Sequence, residues 1–238
     1  MKQRLDQALV AHGLVITRSQ AESFIKMGEV KVDGRVVTKP GQIVGDEHKL
    51  ELTAKEQYVN RAALKLASVA QVLKLDFKGK TVLDVGSSTG GFTEYALRHG
   101  AAKVIAVDVG TDQLHPTLRV NPKVELHEQT DIRDFRTTDT IDVVVADVSF
   151  ISLREILPSV AKLCSKQTQL AVMVKPQFEA GHSSVKHKGV IKNDKMRRDI
   201  LKDFETWARQ HFIILDKADS QVAGSKGNLE RFYLLKKL

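Results

Sequence analysis

The stretch Thr81-Val-Leu-Asp-Val-Gly-Ser-Ser-Thr-Gly-Gly-Phe-Thr93 constrains this chain more than any other: an apolar β-type run breaks into a glycine-rich turn and then into a helical pattern. Glycines let a backbone turn tightly and approach a ligand, and the first turn of the following helix offers free N–H groups. A nucleotide-like ligand is therefore expected at this turn, with a purely structural βα turn as the alternative. The spacing is not the G-x-G-x-x-G of the dinucleotide fold, and Asp84 lies inside the motif, where a carboxylate repels a pyrophosphate.

At 238 residues the chain has room for one α/β domain of ordinary size plus a small extra module. A net charge of +8 favours an anionic partner such as nucleic acid or an acidic membrane surface, and says nothing about the fold. Cys164 is the single cysteine, so no intrachain disulfide can form, and no charged-then-apolar signal segment opens the sequence. A cytoplasmic protein is expected. No apolar run approaches the roughly 20 residues that span a bilayer, since even residues 141–153 are broken by Asp142 and Asp147, and stable membrane insertion is not expected.

Over residues 2–12, Leu5, Ala8, Leu9 and Val10 recur at helical spacing, with Gly13 as the stop. A second short helix follows, capped by Thr17 or Ser19, buried through Ala21, Phe24 and Ile25, and ended by Gly28. Then the period changes. Val30, Val32, Val36 and Val37 flank Asp33-Gly34, a dipeptide that specifies a tight hairpin, and residues 49–52 add another short strand. Two helices on a small sheet make a compact α+β module over residues 1–55, and residues 56–59 read as a linker. A helix starts at Asn60, with a broad apolar face from Leu64, Leu66, Ala67, Val69, Val72 and Leu73, and with Arg61 and Lys65 one turn apart beside it. A lone lysine there ordinarily snorkels to water.

From Lys80 onward the pattern alternates strand and helix, with strands at 82–85, 104–108, 124–127, 141–146, 170–174, 212–215 and 231–235, and helices at 92–98, 151–163 and 194–210. Such a series predicts an α/β, Rossmann-like domain over residues 60–238: a mainly parallel seven-stranded sheet with helices on both faces and ligands at the carboxyl ends of its strands. Asp108 ends the second strand, where it can accept both ribose hydroxyls of an adenosine or simply cap the loop. Asp131 follows the third and can face an adenine amino group. Asp147 emerges from the apolar fourth strand, where a partly desolvated carboxylate needs a partner. Lys175 stands where the fifth strand leaves the core, Pro176 stops the ladder, and Glu230 precedes the last strand. Taken singly, each charge equally marks a strand reaching solvent; the set is far less expected by chance.

The D-x-G-x-x-x-G-G pattern from Asp84 to Gly91 resembles the first motif of S-adenosylmethionine-dependent methyltransferases. That resemblance implies S-adenosyl-L-methionine as cofactor, its amino group and sulfonium suited to Asp84, with Gly86, Ser87, Gly90, Gly91, Phe92, Asp108, Asp131 and Asp147 in its site. Lys65, Asp147, Lys175 and Glu230 match, in order and context, the Lys-Asp-Lys-Glu tetrad of FtsJ-like ribose 2′-O-methyltransferases. The N-terminal residues Arg4-Leu-Asp6, Gly13, Arg18-Ser19, Ala21, Ile25, Gly28-Glu-Val30, Val32, Gly34 and Lys39-Pro40 look like the small RNA-binding domain named after ribosomal small-subunit protein four. Arg4, Arg18, Lys26, Lys31 and Arg35 are then the implied RNA contacts, a solvated charged face being the alternative. Arg61-Ala-Ala-Leu-Lys-Leu66, Ala146-Asp-Val-Ser-Phe-Ile-Ser152, Val174-Lys-Pro-Gln-Phe-Glu179 and Gly227-Asn-Leu-Glu230 extend the similarity to the TlyA family, which joins both parts. That family methylates cytidine 2′-hydroxyls of ribosomal RNA, and many members carry a haemolysin label. The chain departs from the family pattern at Asp131, where Asn is frequent, and at Ser225-Lys226, where Gly-Pro is.

A ribose hydroxyl is a poor nucleophile, so a base must take its proton as the methyl arrives in line from the sulfonium. The resemblance assigns Lys175 as that base, Asp147 and Lys65 as orienters of hydroxyl and donor, and Glu230 as a support for the lysines. Other methylations lack their residues. No Asn/Asp-Pro-Pro-aromatic motif follows the fourth strand, and Cys164, at a helix end, is read as packed or exposed and not as a nucleophile. His182 and His187 lack partners at metal-ligand spacing and read as loop residues, so no metal is expected. Residues 181–198 are basic, with Lys186 and Lys188 among them, and are expected to contact RNA as a flap or to form a solvated loop. The expected function is methyl transfer to ribosomal RNA or ribosomal subunits; a membrane-active haemolysin and a non-catalytic RNA-binding assembly factor are the alternatives.

Overall fold

The computed structural model describes residues 2–15, 18–54, 58, 60–180, 190–191, 193–224 and 227–238. Lys186 and Lys188, the cap at Thr17 and the linker apart from Tyr58 lie outside the described residues.

The N-terminal module contains β1 (Gln3–Arg4), α1 (Leu5–Ala11), α2 (Arg18–Lys26), β2 (Val30–Val32), β3 (Arg35–Val36), β4 (Ile43–Val44) and β5 (Leu50–Leu52). Asp33 and Gly34 take φ of 51° and 77°, the left-handed pair a two-residue hairpin needs, and Val32 sits opposite Arg35 in the β2–β3 ladder. The first helix starts at Leu5 and not at residue 2, because Gln3 and Arg4 are held extended by pairing with Val44 and Ile43. Leu5, Leu9, Phe24, Ile25 and Val30 close the module's core.

Helix α3 (Arg61–Ala70) is capped by the Asn60 side chain, which accepts from the N–H groups of Ala62 and Ala63. It stops at Ala70, so Val72 falls outside its apolar face and is 58% exposed. The remaining elements are β6 (Thr81–Val85), α4 (Gly91–Arg98), β7 (Lys103–Val107), α5 (Pro116–Arg119), β8 (Val124–His127), β9 (Ile141–Ala146), α6 (Leu153–Leu163), β10 (Cys164–Val174), α7 (Pro176–Glu179), α8 (Asp194–Ala208), β11 (Phe212–Asp219) and β12 (Arg231–Lys237). They build a seven-stranded sheet in the order β11-β12-β10-β9-β6-β7-β8. Its five inner-to-edge strands from β10 to β8 are parallel, and β12 runs antiparallel to both β10 and β11. Strand β10 begins at Cys164, earlier than its apolar run, through an irregular register against β9.

Both faces of the sheet are covered, which is why its strands read as continuous apolar runs. Along β9, Val143 and Val145 join the cluster under α3 and α4, whereas Val144 and Ala146 join the one under α6 and α8. The first cluster continues into the N-terminal module, so one apolar core spans both parts of the chain. Tyr58 is buried at the junction, its ring 5.7 Å from that of Tyr95 and beneath the Arg98 guanidinium. Phe204 is fully buried with Trp207 against it. Cys164 is buried, and burial pushes its thiol up to about 11, which removes it from thiolate chemistry at neutral pH. Among the described residues no helix is long and apolar enough to cross a membrane.

Candidate active site

From β6 the chain builds outward through β7 and β8, then returns to place β9 on the other side of β6. The connections diverge at that point and open a crevice at the carboxyl ends of β6 and β9. Gly86 lies in it with φ of 80°, and a Cβ there would meet the Asp147 carbonyl oxygen at 2.9 Å. Only glycine lets the two strand ends close to this distance. At the next turn, Gly90 caps α4 with φ of 95°. Gly91 lets the N-termini of α3 and α4 approach, since a Cβ would strike Asn60 Oδ1 and the Ala63 nitrogen.

Two cavities meet here, of about 410 and 120 Å³, and share Gly86, Ser88, Asp147 and Ser149. The larger lies within the range of roughly 300–1,000 Å³ usual for small-molecule sites. Asp108, Asp131, Val109 and Phe150 line the larger one; Asp84, Ser87, Gly91, Phe92 and Lys175 line the smaller. Every residue expected at the cofactor site except Gly90 therefore borders one cavity or the other. Asp108 accepts from the N–H groups of Ser88 at 2.8 Å and Gly110 at 2.7 Å, which fixes the carboxylate and leaves each oxygen a lone pair. Asp131 is gripped by the Arg133 guanidinium, with Nη2 to Oδ2 at 2.6 Å, so its carboxylate is already engaged by that cation.

Asp84 is wholly buried. Its Oδ2 accepts a 2.6 Å hydrogen bond from Thr93, while Oδ1, like Ser87 Oγ, has no partner among the described residues. Burial pushes this carboxyl up to about 7, with the nearby Asp147 charge adding to the effect and the Thr93 hydrogen bond opposing it. A buried acceptor without a donor is costly, and a ligand that brings an N–H donor to it, best a charged one, relieves that cost. The residues thus fit the ammonium-bearing end of the implied cofactor.

The four tetrad residues form two ion pairs. Lys175 Nζ lies 2.6 Å from Asp147 Oδ1 and donates to Ser149 Oγ at 2.8 Å. Lys65 Nζ lies 2.5 Å from Glu230 Oε2, both side chains being buried. Lys65 does not snorkel to water; it is held inside by the carboxylate. Three further residues enter the site from inside motifs whose roles composition does not reveal. Phe150 is 91% exposed with φ of 67°, its ring 5.4 Å from that of Phe178, which in turn lies 5.9 Å from Lys175 Nζ. Glu179 is buried and accepts from Ser152 Oγ at 2.6 Å and the Leu153 N–H at 2.7 Å. It thereby ties α7, which follows Lys175, to the segment that follows Asp147. Burial raises the Glu179 carboxyl, against the opposing pull of those two donors.

In the N-terminal module, Arg4 and Arg18 are both bound to the buried Asp6, Arg4 through two hydrogen bonds and Arg18 through Nε at 2.8 Å. Lys26 is exposed, and Lys31 and Arg35 flank the hairpin.

A parallel sheet closed by a reversed strand beside β10, with a crevice at its strand ends, is a Rossmann-like α/β domain, and a methyltransferase family model matches it. The chain belongs to the FtsJ-like methyltransferase family, whose model matches residues 58–237, and it carries an S4 domain matched over residues 3–50. A Campylobacter jejuni protein named 23S rRNA (cytidine-2′-O)-methyltransferase TlyA is 40% identical over 193 residues, covering 80% of this chain and 75% of that protein. The Mycobacterium tuberculosis protein named 16S/23S rRNA (cytidine-2′-O)-methyltransferase TlyA is 36% identical over 239 residues, 98% of this chain and 89% of that one. A solved structure from Streptococcus thermophilus, described as a candidate hemolysin, superposes with a TM-score of 0.74 at 35% identity, over 99% of this chain and 88% of that chain.

Proposed function

We propose that this protein transfers the methyl group of S-adenosyl-L-methionine to a ribose 2′-hydroxyl of ribosomal RNA, at a cytidine as its named relatives do. The observation that carries this reading is the position of Lys175, whose Nζ stands between Asp147 and Ser149 on the wall of the cavity that holds the unpartnered Asp84 and Ser87 atoms. When bound, the cofactor supplies an electrophilic methyl on a sulfonium. Asp84 and Ser87 hold its ammonium end, and Asp108 holds its ribose hydroxyls. Lys175 accepts the 2′-hydroxyl proton as the methyl transfers, Asp147 keeps that lysine in place, and Lys65, held by Glu230, helps orient the hydroxyl and the donor.

Phe150 serves the target base. An exposed ring in the left-handed region is held at a cost that the fold tolerates at functional sites, and single-stranded RNA bases are recognised by stacking on aromatic rings. The module of residues 1–55 brings RNA to the domain of residues 60–238 through Lys26, Lys31 and Arg35, with Arg4 and Arg18 contributing the positive field of groups already committed to Asp6. A ribosomal substrate goes with a cytoplasmic site of action.

The test is transfer of labelled methyl from S-adenosyl-L-methionine to unmodified ribosomal subunits, wild type beside Lys175→Ala, with the RNA digested to nucleosides. Label in 2′-O-methylcytidine, abolished in the variant while cofactor binding persists, is the expected result. Unchanged turnover in Lys175→Ala removes that lysine from the mechanism.

A further inference from the structure

Lys175 Nζ donates a hydrogen bond to Ser149 Oγ at 2.8 Å and forms an ion pair with Asp147 Oδ1 at 2.6 Å. Asp147 belongs to the tetrad; Ser149 does not, although it borders both cavities. We infer that Ser149 is a positioning residue that aims the lone pair of Lys175 at the ribose hydroxyl. The inference rests on the assignment of Lys175 as base.

The reason is the geometry of an amine. Four tetrahedral directions leave the nitrogen, and Cε occupies one. When the lysine acts as base it is neutral, with two hydrogens and one lone pair to distribute over the other three. Ser149 accepts one hydrogen, and the Asp147 carboxylate, paired with the nitrogen at 2.6 Å, draws the other toward it, so the lone pair takes the direction that remains. With Ser149 absent, rotation about the Cε–Nζ bond offers the lone pair other directions, and a base whose lone pair is misdirected loses the advantage of its position. In the transfer, the proton of the 2′-hydroxyl moves to that lone pair as the oxygen–carbon bond forms and the sulfur–carbon bond breaks. Nitrogen ends as an ammonium and sulfur as a neutral thioether. Ser149 gains and loses no proton, which makes its role one of aim.

The backbone around Ser149 is built to hold that position. Ahead of it, the Asp147 N–H donates to the Val85 carbonyl at 3.0 Å. Behind it, Ser152 and the Leu153 N–H donate to Glu179, on the helix that starts after Lys175. Lysine and serine are thus fastened to one another through the chain as well as through their own hydrogen bond. Ser149 is itself exposed, so changes of side chain meet open space.

The experiment measures single-turnover methyl transfer to unmodified ribosomal subunits at saturating S-adenosyl-L-methionine for Ser149→Ala, Ser149→Cys, Ser149→Thr and Lys175→Ala, together with cofactor Kd and Tm. Ala and Cys, one lacking the acceptor and one accepting weakly, are expected to slow transfer by roughly 10- to 100-fold. Thr, which restores the hydroxyl, is expected to recover the rate to within about threefold, and cofactor Kd, RNA half-saturation and Tm stay within about twofold or a degree of wild type. Full activity in Ser149→Ala, a loss that Thr does not recover, or a loss expressed in RNA half-saturation and not in rate overturns the role of Ser149. Full activity in Lys175→Ala overturns the base assignment instead, so the two failures are separate.

Discussion

Asp84 is buried in the fold and is also the side chain to which the proposed function gives the ammonium end of the cofactor. It is pushed up to about 7 from an ordinary 3.8, chiefly by burial. A carboxyl that holds its proton more tightly when folded makes the native state bind more protons than the unfolded chain between those two values. Stability therefore falls as pH rises from about 4 to about 7 and changes no further above it. Asp84→Asn, which keeps an acceptor for Thr93 and cannot ionise, is expected to raise the Tm of the cofactor-free protein at pH 8 and to leave it nearly unchanged at pH 4. Thermal melts at both values check this. The same variant is expected to weaken S-adenosyl-L-methionine binding, because the cationic ligand requires the ionised carboxylate. Wild-type affinity, by calorimetry in buffers of different ionisation enthalpy, is expected to rise between pH 6 and pH 8 with uptake of a proton by the buffer, as the carboxyl gives up its own. An affinity flat across that range would show Asp84 already ionised or uninvolved.

At the scale of elements, the site is a property of two strand ends and not of either strand. The crevice exists because β7 and β9 leave β6 on opposite sides, and its width is set where Gly86 passes the Asp147 carbonyl. Gly86→Ala introduces both a Cβ at 2.9 Å from that oxygen and a side chain at φ of 80°. The strain is expected to cost on the order of 1–3 kcal/mol of stability. Moving Asp147 also displaces its partner Lys175, so transfer is expected to fall by more than cofactor affinity does. Denaturant melts and the ratio of the two losses check this; an Ala variant with wild-type stability and rate would show that the β6–β9 contact does not set the site.

For the whole molecule, the N-terminal module and the sheet share an apolar core, and the basic charge is divided between structural and free groups. Burial alone raises the Asp6 carboxyl, yet hydrogen bonds from Arg4 and Arg18 outweigh it and hold the group below the usual carboxylate range. Those two arginines fasten the entry of α1 to α2, whereas Lys26, Lys31 and Arg35 have no such buried partner among the described residues. Neutralising Lys26, Lys31 and Arg35 together is expected to lower the dependence of ribosomal RNA affinity on salt by about one unit of slope for each phosphate no longer neutralised, with Tm unchanged. Asp6→Ala is expected to do the reverse, lowering Tm first. An unaltered slope in the triple variant would place the RNA surface elsewhere.

Local sequence determined what local physics controls. Alternation and glycine position specify the βα turn at Gly86–Gly91, Asp33-Gly34 specifies its hairpin, and strand-end charges mark Asp108, Asp147 and Lys175, because backbone sterics and the period of burial act over a few residues. Pairings between distant segments escaped that logic. The short ladder of Gln3–Arg4 with Ile43–Val44 is too brief to leave a periodic trace, and it displaced the start of the first helix. The division of the tetrad into a Lys175–Asp147 pair and a Lys65–Glu230 pair was likewise undetermined, since four charges read along a chain carry no distances. Nor did composition show that Arg4 and Arg18 belong to Asp6, that Glu179 ties two strand ends together, or that Ser149 touches the lysine. Residue type and spacing determine which groups reach the end of a strand; only the packed sheet decides which of them meet there, because that choice is made by the order of strands and not by any one of them.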